Sequence, residues 1–263
     1  MSSLDLERKY DWYETAVQNP SGEVDFMRRW YRKFRGRLPH TLREDFCGTG
    51  AISCEWARRG ATQRAWGIDL DPEPLAMGRT RHWGKLKPAA RQRMTYVKGN
   101  VLARPPVSTD VVCAFNFSYM IFKTRPQLLR YFKAVRRSLG KDGIFFLDLF
   151  GGPESQTVLE EYRKIGDLTY YWDCQAFNPI TAECTFAIHF RKGRGPKHEN
   201  VFTYDWRLWT LAELRDLLAE AGFARSVAFM EGDGDDGTGD GVYVPTEVVE
   251  NCDAWVSYIA ALA

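Results

Sequence analysis

One segment carries the strongest structural signal in this chain: Thr41-Leu42-Arg43-Glu44-Asp45-Phe46-Cys47-Gly48-Thr49-Gly50. It reads as an apolar-edged strand followed by a glycine turn, and a helix opens directly after it at Ala51. The next apolar run ends in Asp69. In a nucleotide-binding half-unit, such a turn brings backbone amides close to a ligand, and an acid about 20 residues further on suits a ribose diol. The segment therefore predicts a nucleotide-binding site.

The glycine frame in this segment differs from the dinucleotide fingerprint. That fingerprint has three glycines and places a pyrophosphate at the helix N-terminus. Here Phe46 replaces the first glycine and Glu44 heads the frame. A carboxylate at that point repels a pyrophosphate and attracts an ammonium group, which favours S-adenosylmethionine over NAD. Phe46 predicts either ordinary backbone dihedrals at that position or a slightly displaced cofactor.

Composition and charge exclude several classes of protein. The 263 residues suffice for one large α/β domain or a core with a small accessory layer. The net charge of +2 gives little long-range attraction for a polyanion, so no nucleic-acid partner is expected. The basic run over residues 27–37 is interpreted as a solvated helix face whose aromatic residues, Trp30, Tyr31 and Phe34, pack inward.

Cysteine, histidine and hydropathy patterns predict a cytoplasmic protein without metal. The six cysteines are scattered and form no C-x-x-C pair, as is typical of reduced thiols. The four histidines lie far apart, so no metal site is expected. No apolar run approaches the roughly 20 residues that span a bilayer. The N-terminus lacks the apolar region of a signal peptide. No membrane contact is expected.

Strands and helices alternate through the first 150 residues. This order predicts a parallel sheet with right-handed crossovers, and ligands bind beyond the C-terminal ends of such strands. Predicted helices cover residues 5–17, 23–35, 51–59, 72–83 and 125–138. Predicted strands cover residues 41–46, 64–69, 94–98, 110–115 and 143–149.

The pattern changes after Gly151-Gly152. Runs rich in aromatic and β-branched residues at 168–175, 183–191 and 200–208 predict an added antiparallel layer. A helix over 210–221, capped by Thr210, and a strand over 224–230 follow. Residues 231–241 are interpreted as a mobile surface loop, because their acids lack calcium-loop spacing. Periodicity does not decide whether residues 255–262 form a strand or a short helix.

These elements predict an α/β fold with a Rossmann-like core. The predicted core is a mostly parallel seven-stranded sheet with helices on both faces, an N-terminal helical lid and an added antiparallel β layer. The predicted division is a lid over 1–38, a cofactor-binding core over 39–152, a substrate-covering insertion over 153–209, and a completion of the core sheet over 210–263.

The order of motifs resembles that of the class I S-adenosylmethionine-dependent methyltransferases. The series runs strand, Glu-x-Phe-x-Gly-x-Gly, helix, strand, Asp69, then Gly99-Asn100, then a strand ending in Asn116. The resemblance spans about residues 40–150, and the last helix and strands also fit. The run Arg43–Gly50 resembles a little-characterised branch of that class. The resemblance implies the class I fold and S-adenosylmethionine as cofactor.

The resemblance also implies a set of cofactor-binding residues. Glu44 would receive the methionine ammonium and Asp69 both ribose hydroxyls, while Asn100 would accept from the adenine amino group in place of an acid. Each of these three also has a structural interpretation: an ion pair with Arg43 or Arg64, a helix cap, and a turn, respectively. The full set is Glu44, Phe46, Gly48, Gly50, Asp69, Leu70, Asn100, Val101, Asn116 and Phe117.

Aromatic residues mark the expected acceptor site. Many aromatic residues lie in the added layer. Their number exceeds what the core of one small layer needs, so some are expected to face the cleft. There they would attract a sulfonium or a substituted amine by cation–π interaction. Arg207 is a candidate carboxylate clamp or, equally, a surface ion pair. The candidate acceptor-binding residues are Tyr10, Tyr13, Tyr119, Trp172, Tyr204, Trp206 and Arg207; no catalytic residue is singled out.

The sequence favours methyl transfer to a small-molecule acceptor by in-line displacement, which relies mainly on positioning. One alternative is a methyltransferase acting on RNA or protein, although no Asn-Pro-Pro-Tyr-like element follows the fourth strand. Two others are an NAD-dependent oxidoreductase and a catalytically inactive cofactor-binding protein. The sequence leaves open whether nitrogen, oxygen, sulfur or carbon is methylated, and the oligomeric state.

Overall fold

Two β-sheets organise this computed structural model, which describes residues 4–103, 108–233 and 239–263. Within those ranges the strands are β1 (Thr41–Asp45), β2 (Arg64–Asp69), β3 (Met94–Lys98), β4 (Thr109–Ala114), β5 (Leu139–Gly151), β6 (Glu160–Ile165), β7 (Leu168–Phe177), β8 (Glu183–Lys192), β9 (Lys197–Arg207), β10 (Arg225–Asp233), β11 (Gly239–Pro245) and β12 (Trp255–Leu262).

The larger sheet has the strand order β11-β10-β12-β5-β4-β1-β2-β3. Its five strands from β5 to β3 are parallel, and β12 inserts antiparallel between β5 and β10. The predicted Rossmann-like α/β fold is confirmed. The sheet has eight strands, one more than predicted, because β11 pairs with β10 at the edge.

Helices cover both faces of this sheet. They are α1 (Leu6–Val17), α2 (Pro20–Arg35), α3 (Ala51–Arg58), α4 (Pro72–Arg81), α5 (Pro88–Arg91), α6 (Arg125–Ser138) and α7 (Leu211–Glu220). Helix α2 begins three residues earlier than predicted, because the Asn19 side chain caps it and Pro20 suits the first turn. Thr210 caps α7, as predicted.

Alternate residues of β5 divide between two apolar cores. Ile144 and Phe146 pack with α2 and α3 on one face. Phe145 and Leu147 pack with α6 and α7 on the other. Neighbouring side chains of a strand point to opposite faces, so a strand covered on both sides is apolar throughout. This double burial holds the C-terminal ends of the parallel strands at one fixed edge.

The smaller sheet, in the order β6-β7-β8-β9, is antiparallel, as predicted. Its first strand was not predicted, because β6 is mostly exposed and its sequence, Glu160-Glu161-Tyr162-Arg163-Lys164-Ile165, is charged. One part of this sheet packs on the core beside α6. Another part packs on α1 through Trp12, Ile188 and Phe190. The sheet and α1 together therefore cover the edge where the parallel strands end.

The C-terminal region settles one open point and corrects one interpretation, that of residues 231–241 as a surface loop. Residues 255–262, left undecided by periodicity, form β12. Of the predicted surface loop, residues 231–233 and 239–241 belong to the β10–β11 hairpin, and 234–238 lie outside the described residues. Among the described helices, none has the length and apolar character that crossing a bilayer requires. The four-part division of the chain remains a prediction.

Candidate cofactor and acceptor site

The turn after β1 has the backbone of a glycine-rich loop even where glycine is absent. Gly48 and Gly50 have φ angles of 53° and 67°, and Phe46 has a φ of 56°. The prediction of ordinary dihedrals at Phe46 is therefore wrong. A left-handed non-glycine residue costs about 1–3 kcal/mol and persists only where its surroundings hold it. Here the Phe46 ring packs edge-on against Phe122 and Tyr131.

Glu44 lies buried at the end of β1, with 4% of its surface exposed. Its carboxylate accepts hydrogen bonds from the Ser53 N–H (2.8 Å) and the Ser53 hydroxyl (2.5 Å) at the start of α3. Arg43 pairs instead with Asp45 in the core. Burial raises the pKa of Glu44 to about 7, although the Ser53 bonds partly offset it. A cation beside this carboxylate would relieve the cost of its burial.

Asp69 joins the ends of two neighbouring strands. One carboxylate oxygen accepts from the Gly48 N–H at 2.8 Å and the other from the Asp71 N–H at 2.9 Å. Helix α4 is capped by Asp71, so the alternative role of Asp69 as a cap is not what the structure shows. Each oxygen retains a second acceptor site, which leaves Asp69 able to bind a diol.

The residues predicted to contact adenine lie at the same edge, beyond β2 and β3. Leu70 is 62% exposed, which leaves its side chain free to cover a ring. The Asn100 side chain is exposed, and its oxygen accepts from the Leu102 N–H at 2.9 Å. This is the turn that formed the structural alternative for Asn100. Val101 is buried, and its carbonyl accepts from Arg43.

A second turn with left-handed residues follows β4. Asn116 and Phe117 have φ angles of 55° and 57°. Their N–H groups donate to the carboxylate of Asp148 at 2.7 and 2.9 Å. Asp148 is only 6% exposed, and burial raises its pKa to about 7 despite these two bonds. Sequence analysis missed Asp148, for which the only signal was an acid inside the apolar run of β5.

A cavity of about 670 Å³ opens beside the turn after β4, between α1, the smaller sheet and the strands β10 to β12. The turn after β1 does not line it. The structure brings together six of the predicted residues in its wall, five of them with aromatic side chains. They are Tyr13, Asn116, Phe117, Trp172, Tyr204 and Trp206. Trp172, Tyr204 and Trp206 pack on one another with ring centroids 4.3–6.2 Å apart, so they form a continuous aromatic wall.

Three predicted acceptor-binding residues lie away from this wall. The Tyr10 hydroxyl donates to Glu73 at 2.9 Å. Tyr119 is fully buried and donates to the backbone carbonyl of Asp148 at 2.6 Å. Arg207 pairs with Glu213 at 3.0 Å, which is the surface ion pair named as its alternative. Arg207 follows Trp206 on β9, and adjacent strand residues point to opposite faces.

Glu23 is a cavity residue that sequence analysis treated only as part of a helix start. It lies in the first turn of α2, is 7% exposed, and lines the cavity. One of its carboxylate oxygens is buried without a hydrogen-bond partner among the described residues. Burial, together with the negative charges of Asp148 and Glu44, raises the pKa of Glu23 to about 8. The site therefore holds three buried carboxylates.

Glu14 holds α1 against the turn after β1. Its carboxylate accepts from the Thr49 hydroxyl (2.8 Å), and it bonds with His82 (2.7 Å) and Arg81 (2.8 Å). Burial alone would raise the pKa of Glu14, but the hydrogen bonds from His82 and Arg81 lower it to about 2. These bonds close α1 over the turn that follows β1.

Glu160, Asp173 and His189 form the cluster with metal-ligand chemistry in the described part of the chain. The Asn200 N–H donates to Nδ1 of His189 at 2.8 Å, so the ring proton resides on Nε2. Nε2 then donates to Asp173 at 3.1 Å and has no lone pair for a metal. Lys197 also pairs with Glu160. The cluster is therefore a set of polar contacts that links β6, β7 and β8 of the smaller sheet.

Comparison with known proteins identifies the domain. Residues 46–143 match the protein family described as a methyltransferase domain. This stretch of the chain is similar to a methyltransferase domain. The match begins at Phe46 in the glycine turn and ends inside β5, so it contains Asp69, Asn100 and Asn116 but neither Glu44 nor Asp148. Together with the fold, it confirms the predicted class I methyltransferase, a class whose methyl donor is S-adenosylmethionine.

Solved structures similar to this methyltransferase have the same fold over nearly the whole chain. An S-adenosylmethionine-dependent methyltransferase from Clostridium acetobutylicum aligns with a TM-score of 0.71 at 16% identity, covering 97% of this chain and 98% of its own. An amino pentose methyltransferase from Micromonospora echinaspora, with S-adenosylmethionine bound, aligns with a TM-score of 0.64 at 16% identity, covering 98% of this chain and 99% of its own. A sugar N-methyltransferase from a Streptoalloteichus species aligns with a TM-score of 0.62 at 17% identity, covering 94% of this chain and 91% of its own. No curated protein sequence matches this chain.

Proposed function

We propose that this methyltransferase transfers a methyl group from S-adenosylmethionine to a small molecule held in the 670 Å³ cavity. The observation that carries the proposal is the position of that cavity. Asn116 and Phe117, two of the predicted cofactor-binding residues, line it on one side, and the aromatic wall lines it on another. Ligands of open α/β sheets bind at this edge.

The residues at this edge match the chemical groups of the methyl donor one by one. The buried carboxylate of Glu44 suits the ammonium of the methionine part, and Asp69 suits the ribose diol. A Cβ built on Gly48 would meet no atom within 4 Å, so the turn leaves open space beside its backbone. When bound, the donor supplies a methyl group activated by a sulfonium.

The cavity favours a small acceptor over RNA or protein. Its volume lies within the range of about 300–1,000 Å³ usual for small-molecule sites. Helix α1 and the smaller sheet cover the edge of the larger sheet, and Glu14 fastens α1 in that position. A macromolecular acceptor needs an open approach to the donor. The similar proteins described as amino pentose and sugar N-methyltransferases support the same choice.

The chain's own residues contribute alignment and exclusion of water. The Asp148 carboxylate fixes the turn that carries Asn116 and Phe117, and Phe117 packs on Phe150 with ring centroids 4.7 Å apart. The turn therefore keeps Asn116 and Phe117 in fixed positions between the proposed donor and acceptor sites. Alignment of two reactants can supply about 7–11 kcal/mol of rate acceleration.

Calorimetric titration tests the proposed function. The purified protein should bind S-adenosylhomocysteine and should not bind NAD, because the acid at the head of the turn repels a pyrophosphate. Binding of NAD alone would favour the oxidoreductase. Binding of adenosylhomocysteine with no methyl transfer to any amine, alcohol, thiol or tRNA offered with the labelled donor would favour an inactive cofactor-binding protein.

A further inference from the structure

Glu23 is a buried carboxylate that forms no ion pair with any residue in the described ranges. One oxygen has no hydrogen-bond partner among the described residues, and the side chain is 93% buried in the cavity wall. The charges that act on it, Asp148 and Glu44, are both negative. Arg163, at the cavity rim, donates instead to the Ala16 carbonyl. A buried and unpaired carboxylate is costly, so its retention calls for a ligand that pairs with it.

The position of Glu23 separates it from the predicted contacts to ribose and adenine, although the charge of Glu44 still acts on it. The predicted contacts to ribose and adenine lie beyond β2 and β3, at one end of the larger sheet. Glu23 lines the cavity together with Tyr243 of β11 and Tyr258 of β12, which belong to the opposite half of that sheet. The carboxylate is therefore placed on the acceptor side.

The rest of the wall has the chemistry of a cation site. The aromatic wall of Trp172, Tyr204 and Trp206 lines the same cavity as the Glu23 carboxylate. Ring faces attract a cation, most strongly when water is absent. Asp148 adds a second buried carboxylate, although its oxygens already accept from two N–H groups. Of the two carboxylates, Glu23 is the one with an unpartnered oxygen.

We propose that the methyl acceptor is an amine and that Glu23 binds its nitrogen and accepts its proton. This inference rests on the proposed function and names its substrate class. The amine enters as an ammonium ion and passes one proton to the Glu23 carboxylate. The freed nitrogen lone pair forms the new C–N bond, while the S–C bond of the donor breaks and its electron pair stays on sulfur. The products are the methylated ammonium, S-adenosylhomocysteine and protonated Glu23.

The basicity of Glu23 suits an amine better than an alcohol. Its pKa, raised by burial to about 8, is close enough to that of an alkyl ammonium, about 10.4 as in lysine, for proton transfer. A hydroxyl group holds its proton far more tightly, as water does.

A pair of ligands of equal shape tests this inference. Benzylamine and benzyl alcohol are titrated into the protein saturated with adenosylhomocysteine, and tryptophan fluorescence reports binding because Trp172 and Trp206 line the cavity. The native protein should bind benzylamine about tenfold more tightly than benzyl alcohol, as expected for a charge-assisted bond. Glu23→Gln should lose this preference. Asp25→Asn, the same chemical change on the exposed face of α2, should keep it.

The outcomes separate this inference from the proposed function. Equal affinity for the two ligands in the native protein, or a preference retained by Glu23→Gln, would overturn the amine assignment. Glu23→Gln should bind adenosylhomocysteine with native affinity, and a loss of about tenfold would assign Glu23 to the donor instead. Failure of the native protein to bind adenosylhomocysteine would overturn the proposed function. In that case the same amine titration, carried out without adenosylhomocysteine, would still show whether Glu23 binds an amine.

Discussion

The carboxylate of Asp69 accepts the N–H of Gly48 at 2.8 Å and thereby joins the end of β2 to the turn after β1. The same carboxylate is held from its other side by the Asp71 N–H. A ribose diol bound here would meet an acceptor whose orientation is already fixed. Asp69 consequently has both a structural and a proposed binding role.

Replacing Asp69 tests its role in donor binding. Asp69→Asn should weaken adenosylhomocysteine binding about tenfold, because the amide loses charge and one of its two acceptor atoms. Asp71→Asn is the matched control, since asparagine caps α4 as well as aspartate does. Calorimetry on both variants should show the loss only in the first. Equal affinities would remove Asp69 from the donor site.

The left-handed backbone at Phe46 predicts an unusual order of stabilities. Phe46→Ala should be less stable than Phe46→Gly by about 1 kcal/mol, because alanine retains the strain of a positive φ and glycine does not. Both variants lose the packing against Phe122 and Tyr131, so both should be less stable than the native protein. Urea denaturation measures the order. If the alanine variant were more stable than the glycine variant, the turn would have to rearrange in the variants.

The buried carboxylates predict how stability depends on pH. The folded pKa of Glu23, about 8, lies above the ordinary value of 4.5, so the folded protein holds a proton that the unfolded chain releases. Stability of the ligand-free protein should therefore fall as the pH rises between about pH 5 and pH 8.5. Glu44 and Asp148 act in the same direction, each with a pKa of about 7.

Thermal unfolding at several pH values measures this trend. Glu23→Gln should flatten the upper part of the profile, because the group that loses its proton near pH 8 is gone. An identical profile in the variant would show that Glu23 does not titrate in this range.

Glu14 should stabilise the closed position of α1. Glu14→Gln should cost about 1–3 kcal/mol, because buried bonds from Arg81 and His82 lose their charged partner. Glu7→Gln, which removes an exposed partner of the same Arg81, should cost less than about 1 kcal/mol. The folded pKa of Glu14, about 2, is below the ordinary 4.5. Its contribution should persist above about pH 4.5 and disappear as the pH falls toward 2.

Denaturation of both variants at neutral pH compares the two costs. Comparable losses would mean that the bonds of Glu14 contribute no more than exposed ion pairs do.

The parts of the fold with strong periodicity could be predicted from sequence. The run from β1 to β5 alternates apolar strands with capped helices, and the predicted bounds of β2, β3 and α6 agree with the structure. Strand β6 could not be predicted, because an exposed edge strand carries no apolar pattern. Strand β12 remained undecided because a short apolar run fits a helix as well as a strand.

The site shows a similar division. Glu44, Asp69 and Asn116 follow strands whose order places their ends at one edge, so topology alone brings them together. Glu23 could not be found in this way, because it comes from α2, and only the packing of that helix places it in the cavity. The face that β9 turns to the cavity is likewise set by tertiary packing, which separates Trp206 from Arg207.

The role of Glu44 tests the central claim most directly. Two ligands are titrated into native protein and Glu44→Gln: S-adenosylhomocysteine, and methylthioadenosine, which lacks the amino-acid tail. Glutamine keeps an acceptor for Ser53 but loses the charge that would hold the ammonium. The variant should bind adenosylhomocysteine about tenfold more weakly and methylthioadenosine with native affinity. Native affinity for adenosylhomocysteine in the variant would contradict a donor site headed by Glu44.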